Sequence, residues 1–171
     1  AATIGWQHNC YDGYLHVKPV VFWQQENLLQ QYLPNLDRYI VLSDYDKRDY
    51  MEKLGIDCEV KINPRSFVSE KKCDVKSKRF LMATRFVYAK GLDLMMESFE
   101  EFCKEDSEWE LDIIGDGDLF DQIRADAKKR HLEKRVHFVG YTNEPEKYYL
   151  NSSVFLLPSR WEGWPMVIME A

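Results

Sequence analysis

Two cations and two carboxylates stand out by type and spacing. In Thr84-Arg85-Phe86-Val87-Tyr88-Ala89-Lys90-Gly91 a guanidinium and an ammonium lie five positions apart, between an apolar run and an amphipathic one. A helix beginning there attracts anions through its free N–H groups and its macrodipole. A planar fork next to a compact point charge suits a diphosphate. The plainer reading is two solvent-facing charges, and the spacing alone leaves both open. In Leu157-Pro158-Ser159-Arg160-Trp161-Glu162-Gly163-Trp164-Pro165-Met166-Val167-Ile168-Met169-Glu170-Ala171, Glu162 and Glu170 stand eight apart across a turn into a helix. At a helical rise of ~1.5 Å per residue that is roughly 12 Å. Hydrolytic carboxylate pairs sit about 5 to 9.5 Å apart. The two therefore read as grips on different parts of one elongated ligand. A carboxylate such as Glu170 can accept from two neighbouring hydroxyls, as on a ribose. The alternative is one loop Glu and one helix-surface Glu.

Three weaker patterns accompany these. Gly115-Asp116-Gly117 supplies half of G-x-G-x-x-G, but Phe120 occupies the third glycine position, which argues against a dinucleotide fingerprint. Asp116 with Asp118, and Asp44 with Asp46, form D-x-D pairs that can hold a divalent ion; capping of helix starts is the favoured reading of both. Phe138-Val139-Gly140-Tyr141-Thr142 brings an apolar run to a glycine, where a backbone approaches a ligand closely. A base read by main-chain groups and a simple turn both fit. Cysteines at 10, 58, 73 and 103 and histidines at 8, 16, 131 and 137 lack metal-ligand spacing, so the thiols read as reduced and structural.

The elements that must position these residues alternate. Strands are predicted over Thr3–Gln7, Arg38–Leu42 and Glu59–Ile62, with a turn at Asp12-Gly13. Helices are predicted from Val20 to Tyr32 and, capped by Ser43, on to Leu54 before Gly55. Residues 65–78 lose periodicity and are rich in Lys, which reads as an exposed linker. Beyond it the spacing predicts strands at 80–84, 109–114, 136–139 and 154–157, separated by helices at 91–103, 118–131 and 144–150. A further helix starts near Trp164. This alternation predicts an α/β fold, a Rossmann-like parallel sheet flanked by helices, with ligands beyond the carboxyl ends of the strands.

With 171 residues the chain is one domain or parts of two, and 45% hydrophobic content suffices for a core. A net charge of −6 speaks against a broad nucleic-acid-binding face. No run approaches the roughly 20 apolar residues of a spanning helix.

The order R-x(4)-K-G, G-x-G, V-x-F-x-G in Val136–Gly140, then P-S-x-x-E-G-x-P with E-x(7)-E, resembles the retaining glycosyltransferases of family 4, which have two Rossmann-like domains (GT-B architecture). The Glu162-to-Ala171 stretch is similar to bacterial enzymes of lipopolysaccharide and capsule synthesis. The resemblance implies that residues 1–64 end an amino-terminal, acceptor-side domain, 65–78 link, and 79–171 begin a donor-nucleotide-binding domain. It further implies hexose transfer from a nucleotide-diphosphate sugar, UDP favoured over GDP, to a glycan or lipid-linked acceptor, without a metal.

Carried over by position, Arg85 and Lys90 bind the diphosphate and Glu162 stands by the donor sugar. Glu170 holds the ribose, and Gly163, Trp164, Pro165 and Met166 offer backbone N–H groups. Gly140, Tyr141, Thr142 and Ser159 complete the donor site, and His8 sits where the family often has a histidine near the sugar; a strand-end histidine reads equally well. The implied setting is cytoplasmic, with room for peripheral contact at the inner face of the plasma membrane. The family's amino-terminal Gly-rich loop has no counterpart. The chain is therefore expected to be a fragment of a longer enzyme, prone to self-association and transferring little sugar alone. The competing readings are a non-catalytic nucleotide-sugar-binding module, a sugar-nucleotide epimerase on the same scaffold, and an NAD-dependent oxidoreductase, which Phe120 disfavours.

Overall fold

The structure is a computed structural model describing residues 1–17 and 25–171. It divides into two compact units, Ala1–Pro64 with Trp161–Met166, and Arg65–Arg160 with Val167–Ala171.

In the first unit, strands β1 (Ile4–Trp6), β2 (Arg38–Val41) and β3 (Glu59–Val60) form a parallel sheet in the order β1-β2-β3. Helices α1 (Tyr11–Leu15), α2 (Glu26–Tyr32) and α3 (Asp44–Asp49) pack around it. Ser43 caps α3: its Oγ accepts from Asp46 N at 3.0 Å and donates to Asp46 Oδ2 at 2.6 Å. The other oxygen of that buried carboxylate accepts from Tyr11 N at 3.0 Å, so one acid closes the start of two helices. The helix predicted to reach Leu54 changes at Tyr50 into a π turn and stops at Gly55, whose φ is +71°. The predicted helix start at Val20 lies outside the described residues; the described part runs to Tyr32 and passes into a 3-10 turn that holds Pro34.

Asp12-Gly13, read as a turn, lies inside α1. The glycine answers to crowding instead. A Cβ there would come within 2.3 Å of Trp161 and 2.8 Å of Cys10 Sγ. Trp161–Met166 thus belongs with the early residues, although its place in the chain assigns it to the later domain.

In the second unit, β4 (Arg79–Ala83), β5 (Glu110–Ile114), β6 (Val136–Gly140) and β7 (Val154–Phe155) are all parallel, in the order β6-β5-β4-β7. The intervening helices are α4 (Leu92–Glu105), α5 (Phe120–Lys129) and α6 (Pro145–Leu150); α7 (Met166–Glu170) follows β7. Met82, Leu111 and Ile113 meet Leu92, Met96, Phe99 and Ile123 on one face. Leu81, Ala83 and Ile114 meet Tyr149, Phe155 and Val167 on the other. A sheet covered on both faces needs near-continuous apolar strands, and these strands are largely apolar; the buried exception is Asp112 of β5, paired with Arg79 at 2.7 Å. The chain lays down β4, β5 and β6 in one direction and returns to the far side of β4 for β7. The reversal makes a switch point between β4 and β7, where a crevice opens at the carboxyl ends of such strands.

Residues 65–78 form no helix or strand, yet they are tethered to this unit. Asp74 N donates to Leu150 O at 2.9 Å, and Ser153 Oγ donates to Asp74 O at 3.1 Å.

Candidate functional site

Arg85 and Lys90 ride on the loop that leaves β4 for α4. Thr84 N extends the ladder to Ile114 O at 2.9 Å. Phe86 then turns inward, fully buried, while Arg85 before it is exposed. Phe86 N donates to Asp116 O and its own carbonyl accepts from Leu119 N, both at 2.9 Å. Apolar burial of that ring is worth about 1.5–3 kcal/mol, so it anchors the cation beside it.

The two glycines of the next loop exist for this approach. A Cβ on Gly115 would stand 1.8 Å from Thr84 O, and one on Gly117 would stand 2.9 Å from Phe86 N and O. Gly115 N donates in turn to Gly140 O at 2.8 Å, so the loops after β4, β5 and β6 are laced together. The G-x-G is a packing device for the loop after β4. The D-x-D within it does not cap α5, whose N-cap is Leu119. Asp116 instead accepts from Gly117 N at 2.8 Å and shapes the loop. Asp44 and Asp46 do sit in the first turn of α3. Among the described residues no three His, Cys, Asp or Glu side chains converge as metal ligands.

Half-buried Lys90 ends a 3-10 turn, Tyr88–Lys90, and Gly91 with φ +65° is the N-cap of α4. The loop after β7 lies against this point, since a Cβ on Gly91 would be 2.1 Å from Pro158 O. Ser159 is on that second loop, half-buried. The structure thus brings Arg85, Lys90 and the 158–160 segment together at the β4/β7 switch.

Gly140, at the end of β6, gives its carbonyl to Gly115. Thr142 Oγ1 accepts from Glu144 N at 3.1 Å and shapes the entry to α6, while Tyr141 is 78% exposed. Glu170 is on α7, where its Oε2 accepts from the Tyr149 hydroxyl at 3.1 Å. Burial first, then that carboxylate, push the Tyr149 phenol well up, so it remains the donor. Glu170 and Tyr149 line a cavity of about 170 Å³ with Phe67 and Lys71; neither Arg85 nor Lys90 is in its wall. A wider groove of about 610 Å³ runs between α5 and β6, lined by Phe120, Ala127, Val136 and Phe138, and also excludes both cations.

In the first unit, exposed His8 follows β1. Its ring stacks on Trp6 at 5.3 Å, and its Nδ1 lies 3.4 Å from Asn63 Nδ2. Gly163 presses on the same backbone; a Cβ there would be 2.5 Å from His8 O. His8 and the segment of Glu162, Gly163, Trp164, Pro165 and Met166 are therefore in one unit, although more than 150 residues separate them in the chain.

The family profile described as Glycosyl transferases group 1 matches residues 66–171. An uncharacterized glycosyltransferase of Haemophilus influenzae is 29% identical over 137 residues, covering 79% of this chain and 39% of its own. The lipopolysaccharide 1,6-galactosyltransferase of Salmonella typhimurium is 31% identical over 96 residues, covering 54% of this chain and 26% of its own. Among solved structures, a mutant of Staphylococcus aureus TarM in complex with fondaparinux, alpha-GlcNAc-glycerol and UDP superposes with a TM-score of 0.87 at 22% identity, over 100% of this chain and 35% of its own. That likeness establishes the GT-B fold. This chain spans well under half the length of each relative. Among the described residues no helix is long and apolar enough to cross a membrane.

Proposed function

The chain belongs to the glycosyl transferases group 1 family, and on that premise we propose that the full-length protein is a retaining family 4 hexosyltransferase. It takes a nucleotide-diphosphate sugar, UDP favoured over GDP, and passes the hexose to a glycan or lipid-linked acceptor in bacterial cell-surface polysaccharide synthesis, on the cytoplasmic side. The names of relatives such as the Salmonella typhimurium galactosyltransferase support the acceptor class. UDP in the TarM complex supports the base.

One observation carries the reading: two cations on one loop at the β4/β7 switch, ahead of the N-terminus of the 14-residue helix α4. When a nucleoside diphosphate departs, the sugar becomes oxocarbenium-like and negative charge builds on phosphate. Arg85, Lys90 and the free N–H groups of α4 stabilise that charge more in the transition state than in the ground state. They supply positive charge that a metal would otherwise bring, and no metal is assigned to the reaction. Glu162 stands by the donor sugar, and Glu170 accepts ribose hydroxyls through the oxygen that Tyr149 leaves open. Gly115 and Gly117 are taken up by Thr84 and Phe86, which speaks against their use as a dinucleotide fingerprint.

Calorimetric titration of the full-length protein with UDP and with NAD, both without added metal, tests the class. The expected result is UDP binding that weakens on Arg85→Ala and no NAD binding. NAD binding, or an Arg85→Ala variant with unchanged UDP affinity, overturns it. Glu162→Ala is expected to abolish transfer while UDP still binds; surviving transfer removes Glu162 from the centre of the reaction.

A further inference from the structure

We infer that Arg160 is a positioning residue that holds Lys90 in its diphosphate-binding place; the inference rests on the diphosphate reading above. Arg160 sits in the loop between β7 and α7 and contacts Tyr88, Ala89 and Asp93. Its backbone N donates to Ala89 O at 2.7 Å. Its Nη1 donates to Tyr88 O at 2.9 Å and to Asp93 Oδ1 at 2.8 Å, and its Nη2 donates to Asp93 Oδ2 at 2.6 Å. The guanidinium carbon also lies 4.1 Å from the centre of the Tyr88 ring. One side chain thus binds the residues on both sides of Lys90 and Gly91.

Most surface ion pairs do little, because two flexible chains must be held in one geometry against solvent. This pair differs in three ways. The Arg160 side chain is 19% exposed, although its partner Asp93 is 57% exposed. Its contact with Asp93 is a two-pronged fork, which fixes direction as well as distance. Its flat face stacks on Tyr88, a use to which Lys is poorly suited. The Arg160 hydrogen bonds hold the Asp93 carboxyl below its usual range. Asp93, in the first turn of α4, thereby acts as the fixed end of a strap across the 3-10 turn that Lys90 closes.

The two cations of the loop are held by separate means. The backbone at Arg85 is fixed by the buried Phe86 and its bonds to the loop after β5. The backbone at Lys90 runs between the Tyr88 and Ala89 contacts of Arg160 on one side and its Asp93 contact on the other. Loss of Arg160 should therefore act through Lys90 and not through Arg85.

The test measures UDP affinity by calorimetry on the full-length protein carrying Arg160→Met, alone and combined with Lys90→Met or Arg85→Met. Arg160→Met is expected to weaken UDP binding about tenfold in the otherwise unchanged protein and less than about twofold in the Lys90→Met background, with nearly its full effect retained in the Arg85→Met background. A role in overall stability alone would not single out Lys90. Arg160→Lys keeps the charge but loses the fork and the stacking, and is expected to weaken binding about threefold. It carries the same comparison if Arg160→Met does not fold. Equal effects of Arg160 replacement in both cation backgrounds, or no effect, would overturn the inference. A Lys90→Met protein with unchanged UDP affinity would instead remove the diphosphate reading on which it rests.

Discussion

Replacing Gly91 by alanine should damage the second unit in two ways that can be measured apart. The first is conformational: φ is +65°, and an L-residue held there costs about 1–2 kcal/mol. The second is steric. The new Cβ would lie 2.1 Å from Pro158 O, about 0.9 Å inside the 3.0 Å limit that real Cβ atoms essentially never pass, and the obstacle is backbone. Relief requires the loop after β7 to withdraw, which breaks the 2.7 Å bond from Arg160 N to Ala89 O. A lost neutral hydrogen bond costs about 0.5–1.5 kcal/mol, and a slackened Arg160–Asp93 pair adds about 0.2–1 kcal/mol. Together these come to about 1.7–4.5 kcal/mol. Gly140→Ala is the control within the same unit. Its φ is +80° but nothing lies within 4 Å of its added Cβ, so only the conformational part applies. Amide hydrogen exchange of Leu81–Ala83 and Leu111–Ile113 in the full-length protein reads global opening of this unit for both variants. Gly91→Ala should cost about 0.7–2.5 kcal/mol more than Gly140→Ala. Equal costs would refute the argument that the two loops are locked at Gly91.

Phe86→Ala should destabilise the second unit by about 3–5 kcal/mol in denaturant unfolding, because the buried ring lies at the root of the loop; a cost below about 1 kcal/mol would show the anchor to be dispensable. His16 bridges Asp12 at 2.9 Å and Glu26 at 2.8 Å, and its hydrogen bond to Asp12 first, then that to Glu26, raise its pKa above the ordinary 6.5. A raised folded-state value means that this link contributes fully below pH 6.5 and fades as pH climbs through the higher folded value. An NMR titration of the His16 ring should give a midpoint above 6.5; a midpoint below it would contradict the bridge. Burial pushes the Cys58 thiol up to about 11, whereas Cys73 is exposed. A thiol reagent at pH 8 should label Cys73 at once and Cys58 only on unfolding, read by peptide mass; early labelling of Cys58 would contradict its burial.

The strands of the second unit are legible because they are buried on both faces. Phe80-Leu81-Met82-Ala83 is a run that few other environments accept, and Leu111, Ile113 and Ile114 follow it in the next strand, broken only by Asp112. Helix α4 is equally plain, since Leu92, Met95, Met96 and Phe99 recur on one face. Ser43 announces α3 through its own side-chain chemistry. Short elements are harder. Gly13 looks like a turn because local sequence does not reveal that Trp161 will lie against it. The same blindness hides Arg160, because its partner Asp93 is 67 residues away. Tyr149 is hidden likewise, 21 residues before the Glu170 it holds.

What the amino-acid order settles here is whatever depends on near neighbours: the alternation of strand and helix, the caps, and two cations between a strand and a helix. These follow from side-chain shape and from backbone hydrogen bonds closed within a few residues. The fold alone decides which distant residues share a loop junction. It turns Gly115 and Gly117 into a bed for Thr84 and Phe86, sets the 161–166 segment beside His8, and lays Arg160 against Tyr88 and Asp93. The reason is that strand order in the finished sheet decides which loops are neighbours: β5 beside β4 brings the glycines to Thr84 and Phe86, and the return of β7 to the far side of β4 brings Arg160 to Tyr88 and Asp93.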